Sequence, residues 1–130
     1  VPATTAFDAD VDVLAPCAVG EVITEDVARR VRARGIAGAA NNQLASDEAG
    51  RILQAREIWY APDFAANAGA VIVGFETFAG RGATALEVVR RIEARIDAVF
   101  EEAARERITP TEAAVRRARA RLDAVRALVR

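Results

Sequence analysis

Two adjacent amide side chains follow a short apolar run in the middle of this 130-residue chain. The run Gly38-Ala39-Ala40 leads directly into Asn41, Asn42 and Gln43. Asn and Gln carry both hydrogen-bond donors and acceptors, so one amide could meet a cofactor and the other a substrate carboxylate. At the carboxyl end of a parallel strand they would lie where open α/β sheets bind their ligands. The dipeptide alone also fits a turn, because Asn tolerates left-handed backbone.

Two further reactive side chains each follow a proline: Cys17 follows Pro16, and Asp63 follows Pro62. A nucleophilic thiol needs a base or a cationic neighbour, and the chain has no His or Lys to activate Cys17. We therefore expect Cys17 to pack as a small hydrophobic side chain at a strand end. Asp63 could be a general base, but a Pro-Asp pair before a helix favours a cap.

The basic residues limit the chemistry further, because every one of them is Arg. Arg stays protonated, and His is the usual proton-transfer residue at neutral pH, so we expect no catalytic residue in this chain. With a single Cys and no His, we expect no metal site. A single Cys also excludes an internal disulfide and fits a reducing, cytoplasmic location.

The net charge and the positions of the Arg residues indicate which classes of partner the chain can bind. The net charge of -1 favours no polyanionic partner, and we find no apolar stretch of the roughly 18 to 20 residues that a membrane span needs. The Arg residues near the end could form a nucleic-acid surface, but Arg116, Arg119 and Arg126 are spread around the predicted helix. Few aromatic residues are available for base stacking, so we expect neither nucleic acid nor membrane as a partner.

The first half of the chain alternates between short apolar runs and helical patterns. Strands are predicted over residues 11–15, 36–40 and 58–61. Helices are predicted to begin after Thr24 and Ser46, each followed by acidic residues, and to end near Arg34 and Arg56. This alternation predicts an α/β fold with parallel strands. Three strands make a thin sheet, and the sequence has no G-x-G-x-x-G turn, so residues 1–80 read as the second half of a Rossmann-like, doubly wound dinucleotide-binding domain.

The second half is helical. Residues 67–78 are small and apolar and predict a buried helix, which Gly80-Arg81-Gly82 ends. An amphipathic helix follows from about Leu86 to Ala103, and Thr109-Pro110-Thr111-Glu112 is a capping box that begins the last helix. We predict that residues 81–130 form a C-terminal helical hairpin packing on the first half. The apolar stripe predicted for the last helix consists of Val115, Ala118, Leu122, Val125 and Val129.

Three blocks of sequence, in this order and spacing, resemble a known family. They are Ala15-Pro16-Cys17-Ala18 with Gly20, Ile36-Ala37-Gly38 leading to Asn41-Asn42-Gln43-Leu44, and Tyr60-Ala61-Pro62-Asp63 leading to Asn67-Ala68-Gly69. They are similar to the amino-acid dehydrogenases acting on glutamate, leucine, phenylalanine and valine, and closest to the leucine, valine and phenylalanine branch. The resemblance implies the carboxyl-terminal part of a homo-oligomeric, NAD-dependent enzyme that converts an L-amino acid to a 2-oxo acid and ammonia. It also implies that the catalytic lysines and aspartate belong to an amino-terminal domain.

The same resemblance implies roles for individual positions. Asn42 looks like the residue that helps hold the substrate's carboxylate, and Val71 and Gly74 fall where family members line the substrate side-chain pocket. Glutamate-specific members have a Ser at the position of Gly74, so a hydrophobic substrate such as leucine, valine or phenylalanine is expected. The positions that resemble the family's cofactor-binding residues are Cys17, Ala18, Ala40, Asn41 and Asn67.

A non-catalytic α/β binding or assembly module is the alternative to an enzyme. The 130 residues alone lack Lys, His and the phosphate-binding turn. Because hydride transfer needs cofactor, substrate and a base held together, we expect the isolated chain to be inactive in either case.

Overall fold

The computed structural model describes residues 3–128 of the chain. A 3-10 helix at Ala3–Asp8 precedes the first strand, and a second at Gly82–Thr84 joins two helices of the carboxyl-terminal half. The main elements are the strands β1 (Val13–Leu14), β2 (Gly35–Ile36) and β3 (Trp59–Tyr60) and the helices α1 (Glu25–Arg30), α2 (Asp47–Ala55), α3 (Asp63–Ala66), α4 (Gly69–Phe78), α5 (Ala85–Glu106) and α6 (Pro110–Leu128).

The strands form one parallel sheet in the order β1-β2-β3. Leu14 pairs with Ile36, and Ile36 pairs with Tyr60. Parallel neighbours need a crossover, and α1 and α2 supply the two crossovers. The carboxyl ends of all three strands therefore lie at one edge of the sheet, and the predicted α/β fold class with its helical carboxyl-terminal half is confirmed.

The two faces of the sheet differ in their contacts because successive strand residues point to opposite sides. Ile36 and Tyr60 are buried with Val27 of α1 and Leu53 of α2. Trp59 meets Phe100 of α5 edge-on, with the ring centroids 4.8 Å apart. Helices α1 and α2 thus cover one face of the sheet, whereas the other face is largely open, with Val13 61% and Trp59 59% exposed.

Helix α1 ends at Arg30 rather than near Arg34, so that predicted boundary was wrong. Thr24 caps its start as expected, accepting the N–H of Val27. Beyond Arg30, Val31 and Ala33 are buried whereas Arg32 is exposed. That two-residue alternation is typical of extended chain, which leads here into β2.

The strands are also shorter than predicted, although their chains stay in contact beyond the strand ends. The Ala40 N–H donates to the Pro16 carbonyl at 3.0 Å. A β-carbon on Gly38 would lie 2.0 Å from that carbonyl oxygen, so the backbones approach more closely than a side chain allows. Since proline also lacks an N–H, regular pairing stops here and the two connecting loops begin.

Helix α4 is not the buried helix that the sequence predicted. None of its residues is buried, and Val71 and Phe75 are 76% and 61% exposed. Its contact within the described residues is mainly with α5. Apolar composition alone could not distinguish a buried helix from one that packs along a single side.

The capping box at the start of α6 is confirmed. The Glu112 N–H donates to Thr109 Oγ1 at 3.2 Å, and the Thr109 N–H donates to Glu112 Oε2 at 2.8 Å. Helices α5 and α6 pack through Val99, Ala103, Ala113 and Ala114. Farther along α6, Leu122 and Val125 of the predicted stripe are exposed, and Val129 lies outside the described residues.

Candidate active-site loops

The loops that follow β1 and β2 are locked together at the carboxyl edge of the sheet. Besides the contact of Gly38 with Pro16, a β-carbon on Gly20 would lie 2.7 Å from the carbonyl oxygen of Asn41. The Glu21 N–H donates to the Asn42 carbonyl at 2.6 Å. Each loop therefore fixes the path of the other.

Asn67 joins the segment after β3 to the loop after β2. Its Nδ2 donates to Asn41 Oδ1 at 2.8 Å and lies 3.3 and 3.4 Å from the carbonyl oxygens of Ala39 and Ala40. Asn67 is at the end of α3, directly before α4, so a short helix sets its position. The structure thus brings together Ala40, Asn41 and Asn67, three residues singled out from the sequence.

Asn42 adopts left-handed backbone, with φ at 51°, as the turn interpretation expected. Its N–H donates to Asp63 Oδ2 at 2.8 Å, and the Tyr60 hydroxyl donates to Asp63 Oδ1 at 3.0 Å. The cap interpretation of Asp63 was wrong, because its side chain makes no capping hydrogen bond in α3. Burial, followed by the negative charge of Asp63, raises the pKa of Tyr60, so the hydroxyl remains a donor.

Gln43 has a structural role that the sequence reading missed. The side chain is fully buried, and Nε2 donates to the carbonyls of Gly38 and Ala40 at 2.8 and 2.9 Å. Gln43 therefore braces the loop that presents Asn41. The one sequence signal was a third amide beside the Asn pair.

Cys17 and Ala18 lie in the loop after β1, and both are exposed. The predicted packing of Cys17 as a small hydrophobe was wrong, because the side chain lies at the surface and Sγ accepts the Ala39 N–H at 3.4 Å. The loop leaves the sheet at Pro16, and this turns Cys17 away from the core. The thiol is thus one more contact between the β1 and β2 loops.

Val71 and Gly74 lie three residues apart on α4 and share one face of that helix. That face is open: a β-carbon on Gly74 would meet nothing within 4 Å. Among the described residues, these positions therefore form an open surface and not a closed cavity.

Of two pockets that the described residues form, only the smaller one is lined by residues of these loops. A small one of about 310 Å³ is lined by Asn42, Tyr60, Asp63 and Phe64 among others. A wider groove of about 1260 Å³ lies at the other end of the strands, beside Arg34, Trp59 and Phe100. Size alone would select the wider groove, but the converging amides and carbonyls lie at the carboxyl edge, where parallel sheets bind ligands.

Residues 3–128 lack both a metal-binding cluster and a membrane-spanning helix. They contain no group of three or more His, Cys, Asp or Glu side chains that could hold a metal ion. None of the described helices combines the length and apolar character needed to cross a membrane.

Comparison with known proteins supplies the family. The model of the Glutamate/Leucine/Phenylalanine/Valine dehydrogenase family matches residues 1–129. The chain belongs to this family. The predicted resemblance is thereby confirmed, and the polar loops lie in an amino-acid dehydrogenase sequence.

Individual members of the dehydrogenase family agree with this assignment. The chain is 38% identical over 121 residues to leucine dehydrogenase of Thermoactinomyces intermedius, covering 92% of this chain and 33% of that protein. It is 36% identical over 115 residues to phenylalanine dehydrogenase of Caldalkalibacillus thermarum (strain TA2.A1), covering 88% and 31%. The crystal structure of L-tryptophan dehydrogenase from Nostoc punctiforme superposes with a TM-score of 0.86 at 34% identity, covering 92% of this chain and 37% of that one.

The chain spans about a third of the length of these curated dehydrogenases. Within that third, the described residues offer amide and carbonyl groups that can bind and orient a ligand. They contain neither Lys nor His for proton transfer.

Proposed function

We propose that this chain supplies cofactor-binding and substrate-binding loops of an NAD-dependent dehydrogenase that oxidatively deaminates hydrophobic L-amino acids to 2-oxo acids and ammonia. In this proposal residues 1–80 are the second half of the dinucleotide-binding domain, and residues 81–130 are a helical hairpin packed on it. The complete protein is a homo-oligomer whose catalytic Lys residues lie outside these 130 residues. The complete protein is a cytoplasmic enzyme, which agrees with the single unpaired Cys.

The observation that carries the proposal is the joining of Asn67 to Asn41 at 2.8 Å, beside the Ala40 carbonyl, at the carboxyl edge of a parallel sheet. Parallel α/β sheets bind their ligands at this edge. Asn67 and Asn41 are 26 residues apart, so their contact depends on the packing of α2, β3 and α3, which lie between them. The match to the family over residues 1–129 also supports the proposal.

The amide groups of Asn41 and Asn67 fit a nicotinamide cofactor. A carboxamide has a donor and an acceptor, and these two side-chain amides offer the same two kinds of group. Cys17 and Ala18, exposed in the neighbouring loop, would border the ribose. The cofactor, when bound, supplies the hydride acceptor, and the chain's own residues bind and orient it.

Substrate binding is assigned to Asn42, Val71 and Gly74. Asn42 is exposed, and we assign its side chain to the substrate's carboxylate. Val71 and Gly74 present an apolar face with no hydrogen-bond donor, so a second carboxylate there would lack a partner. This favours leucine, phenylalanine or valine over glutamate.

The test is an assay of the protein encoded by the complete reading frame that contains this sequence. We expect reduction of NAD with leucine, phenylalanine or valine, and much lower catalytic efficiency with glutamate. NADP is assayed in parallel with the same amino acids.

Two outcomes would overturn the proposal in different ways. Absence of NAD reduction with every amino acid would favour the alternative of a non-catalytic assembly module. Higher catalytic efficiency with glutamate than with the three hydrophobic amino acids would refute the assigned substrate class.

A further inference from the structure

We propose that Asp63, oriented by Tyr60, is a positioning residue that fixes the backbone of Asn42 for substrate binding. This inference rests on the proposed function through the role of Asn42. Asp63 is only 8% exposed, and both of its carboxylate oxygens are engaged. Oδ2 accepts the Asn42 N–H at 2.8 Å, and Oδ1 accepts the Tyr60 hydroxyl proton at 3.0 Å.

The backbone of Asn42 needs such support because its φ of 51° lies in the left-handed region. Its peptide groups are held from two directions. Asp63 accepts the N–H, and the Asn42 carbonyl accepts the N–H of Glu21 at 2.6 Å. With both groups fixed, the direction in which the exposed Asn42 side chain leaves the loop is set by the backbone.

A carboxylate suits this task better than a neutral acceptor. Hydrogen bonds to a charged acceptor are stronger than those to a neutral one, and burial removes the water that would compete for the Asn42 N–H. The Tyr60 hydroxyl occupies the second oxygen and so fixes the plane of the carboxylate. Tyr60 is itself anchored in the core on β3, at 2% exposure.

Helix capping does not explain the burial of Asp63. Although Asp63 is the first residue of α3, that helix has four residues and no side-chain cap. Its two oxygens bind groups from the loop after β2 and from β3 instead. The carboxylate therefore connects two site-forming segments rather than the helix it begins.

The first experiment measures hydrogen–deuterium exchange at the Asn42 amide in the complete protein, by mass spectrometry with residue-level fragmentation. Because residue 63 is remote in sequence from residue 42, Asp63→Asn leaves the intrinsic exchange rate of that amide unchanged. We expect exchange to be about tenfold faster in the variant. The matched control is Asp97→Asn, which makes the same charge change on the exposed side of α5 and should leave the Asn42 amide unaffected.

The second experiment separates positioning from a general loss of structure by kinetics. We expect Asp63→Asn to raise KM for the amino acid about tenfold, with a smaller change in kcat and little change in KM for NAD. Tyr60→Phe, which keeps the aromatic packing, should raise KM for the amino acid about threefold. Asp63→Glu retains a carboxylate and should fall between wild type and Asp63→Asn.

The outcomes distinguish this inference from the proposed function. Unchanged exchange at Asn42 in Asp63→Asn overturns the inference, whatever the activity. If that variant does not fold, Tyr60→Phe carries the test, and unchanged exchange together with unchanged KM overturns the inference. A wild-type protein that oxidises no amino acid refutes the proposed function, while faster exchange in the variant would still support the contact between Asp63 and Asn42.

Discussion

At the scale of single residues, Asn67 connects two segments of the candidate site. Its side chain spans the gap between α3 and the loop after β2, where it meets Asn41 and the Ala40 carbonyl. Removing the Asn67 amide would leave the Asn41 side chain without this hydrogen-bond partner. The loop groups assigned to the cofactor would then lose their fixed direction.

We therefore predict that Asn67→Ala weakens NAD binding by the complete protein about fivefold to tenfold, since one hydrogen bond contributes about 1 kcal/mol. The measurement is the Kd for NAD, by quenching of protein fluorescence. Gln54→Ala is the control, because it also removes one amide–carbonyl bond, to Ile108, but away from the site. Equal effects of the two variants on NAD binding would contradict the assigned role of Asn67.

Two glycines should respond in opposite ways to the same substitution. A β-carbon on Gly38 would lie 2.0 Å from the Pro16 carbonyl oxygen, whereas one on Gly74 would meet nothing within 4 Å. We predict that Gly38→Ala lowers the free energy of unfolding by about 3 kcal/mol or more, because backbone must move. Gly74→Ala should raise it by about 0.5–1 kcal/mol through helix propensity.

Denaturant unfolding of the complete protein measures both changes. A Gly38→Ala variant as stable as wild type would show that the loops after β1 and β2 are not pressed together as described. A destabilised Gly74→Ala variant would show that other parts of the complete protein fill the space beside α4.

The individual residues also show what a sequence can reveal about this site. The capping pair of Thr109 and Glu112 is separated by three positions, so a local pattern was enough to predict it. The partner of Asp63 is the Asn42 amide, 21 positions away, and only the fold brings the two together. The same holds for Cys17, whose exposure depends on the path of a loop rather than on its neighbours in sequence.

At the scale of elements, the start of α6 should respond to pH. The backbone N–H and hydroxyl of Thr109 lower the pKa of Glu112 below its ordinary value of 4.5. A lowered pKa in the folded state means that the charged form stabilises the fold. This contribution is complete above the ordinary value and is lost as the pH falls through the lower folded value.

We predict that Glu112→Gln lowers the free energy of unfolding by about 0.5 kcal/mol at neutral pH, because Gln keeps an acceptor but not the charge. The difference from wild type should vanish as the pH falls below the folded pKa of Glu112. Denaturant unfolding from about pH 3 to pH 7 measures it, with Glu93→Gln on α5 as the control. A difference that stays constant across this range would rule out the contribution of the charge.

Helix α4 carries the prediction about substrate choice. Val71 and Gly74 share its open face, and Gly74 leaves space that a large side chain would fill. We predict that Gly74→Phe lowers kcat/KM for leucine at least about tenfold in the complete protein, since overfilling a pocket removes room for the substrate. Ala94→Phe, at an exposed position of α5, is the control. If Gly74→Phe keeps full activity with leucine, this face of α4 does not line the substrate pocket.

The elements differ in how well the sequence foretold them. The order strand, helix, strand, helix, strand from β1 to β3 was correct because turn and cap residues separate the apolar runs, whereas the 3-10 helix at Ala3–Asp8 and helix α3 were not predicted. Boundaries were less accurate: Val31 and Ala33 continue an apolar pattern that a helix and an extended segment can both use. The exposure of α4 could not be predicted, because composition does not identify what covers a helix.

At the scale of the whole molecule, the described residues leave much apolar surface open on the helices. The large exposed apolar side chains on α4, α5 and α6 are Val71, Val73, Phe75, Phe78, Leu86, Leu122, Val125 and Leu128. Phe78 is 91% exposed. Exposed apolar side chains in this number are typical of surfaces that other protein segments cover.

We predict that the 130-residue chain, expressed alone, associates with itself in a concentration-dependent way and reduces no NAD with any amino acid. Association buries the open apolar side chains, and catalysis fails because the chain has neither Lys nor His for proton transfer. Sedimentation velocity measures the first expectation and a spectrophotometric NAD assay the second.

The variant Phe75→Ser with Phe78→Ser should shift the chain toward monomer, whereas Val19→Ser, which changes an exposed side chain in the loop after β1, should not. A monomer with a sharp cooperative melt would contradict the role of the open helices, and turnover by the isolated chain would place catalytic groups within these residues.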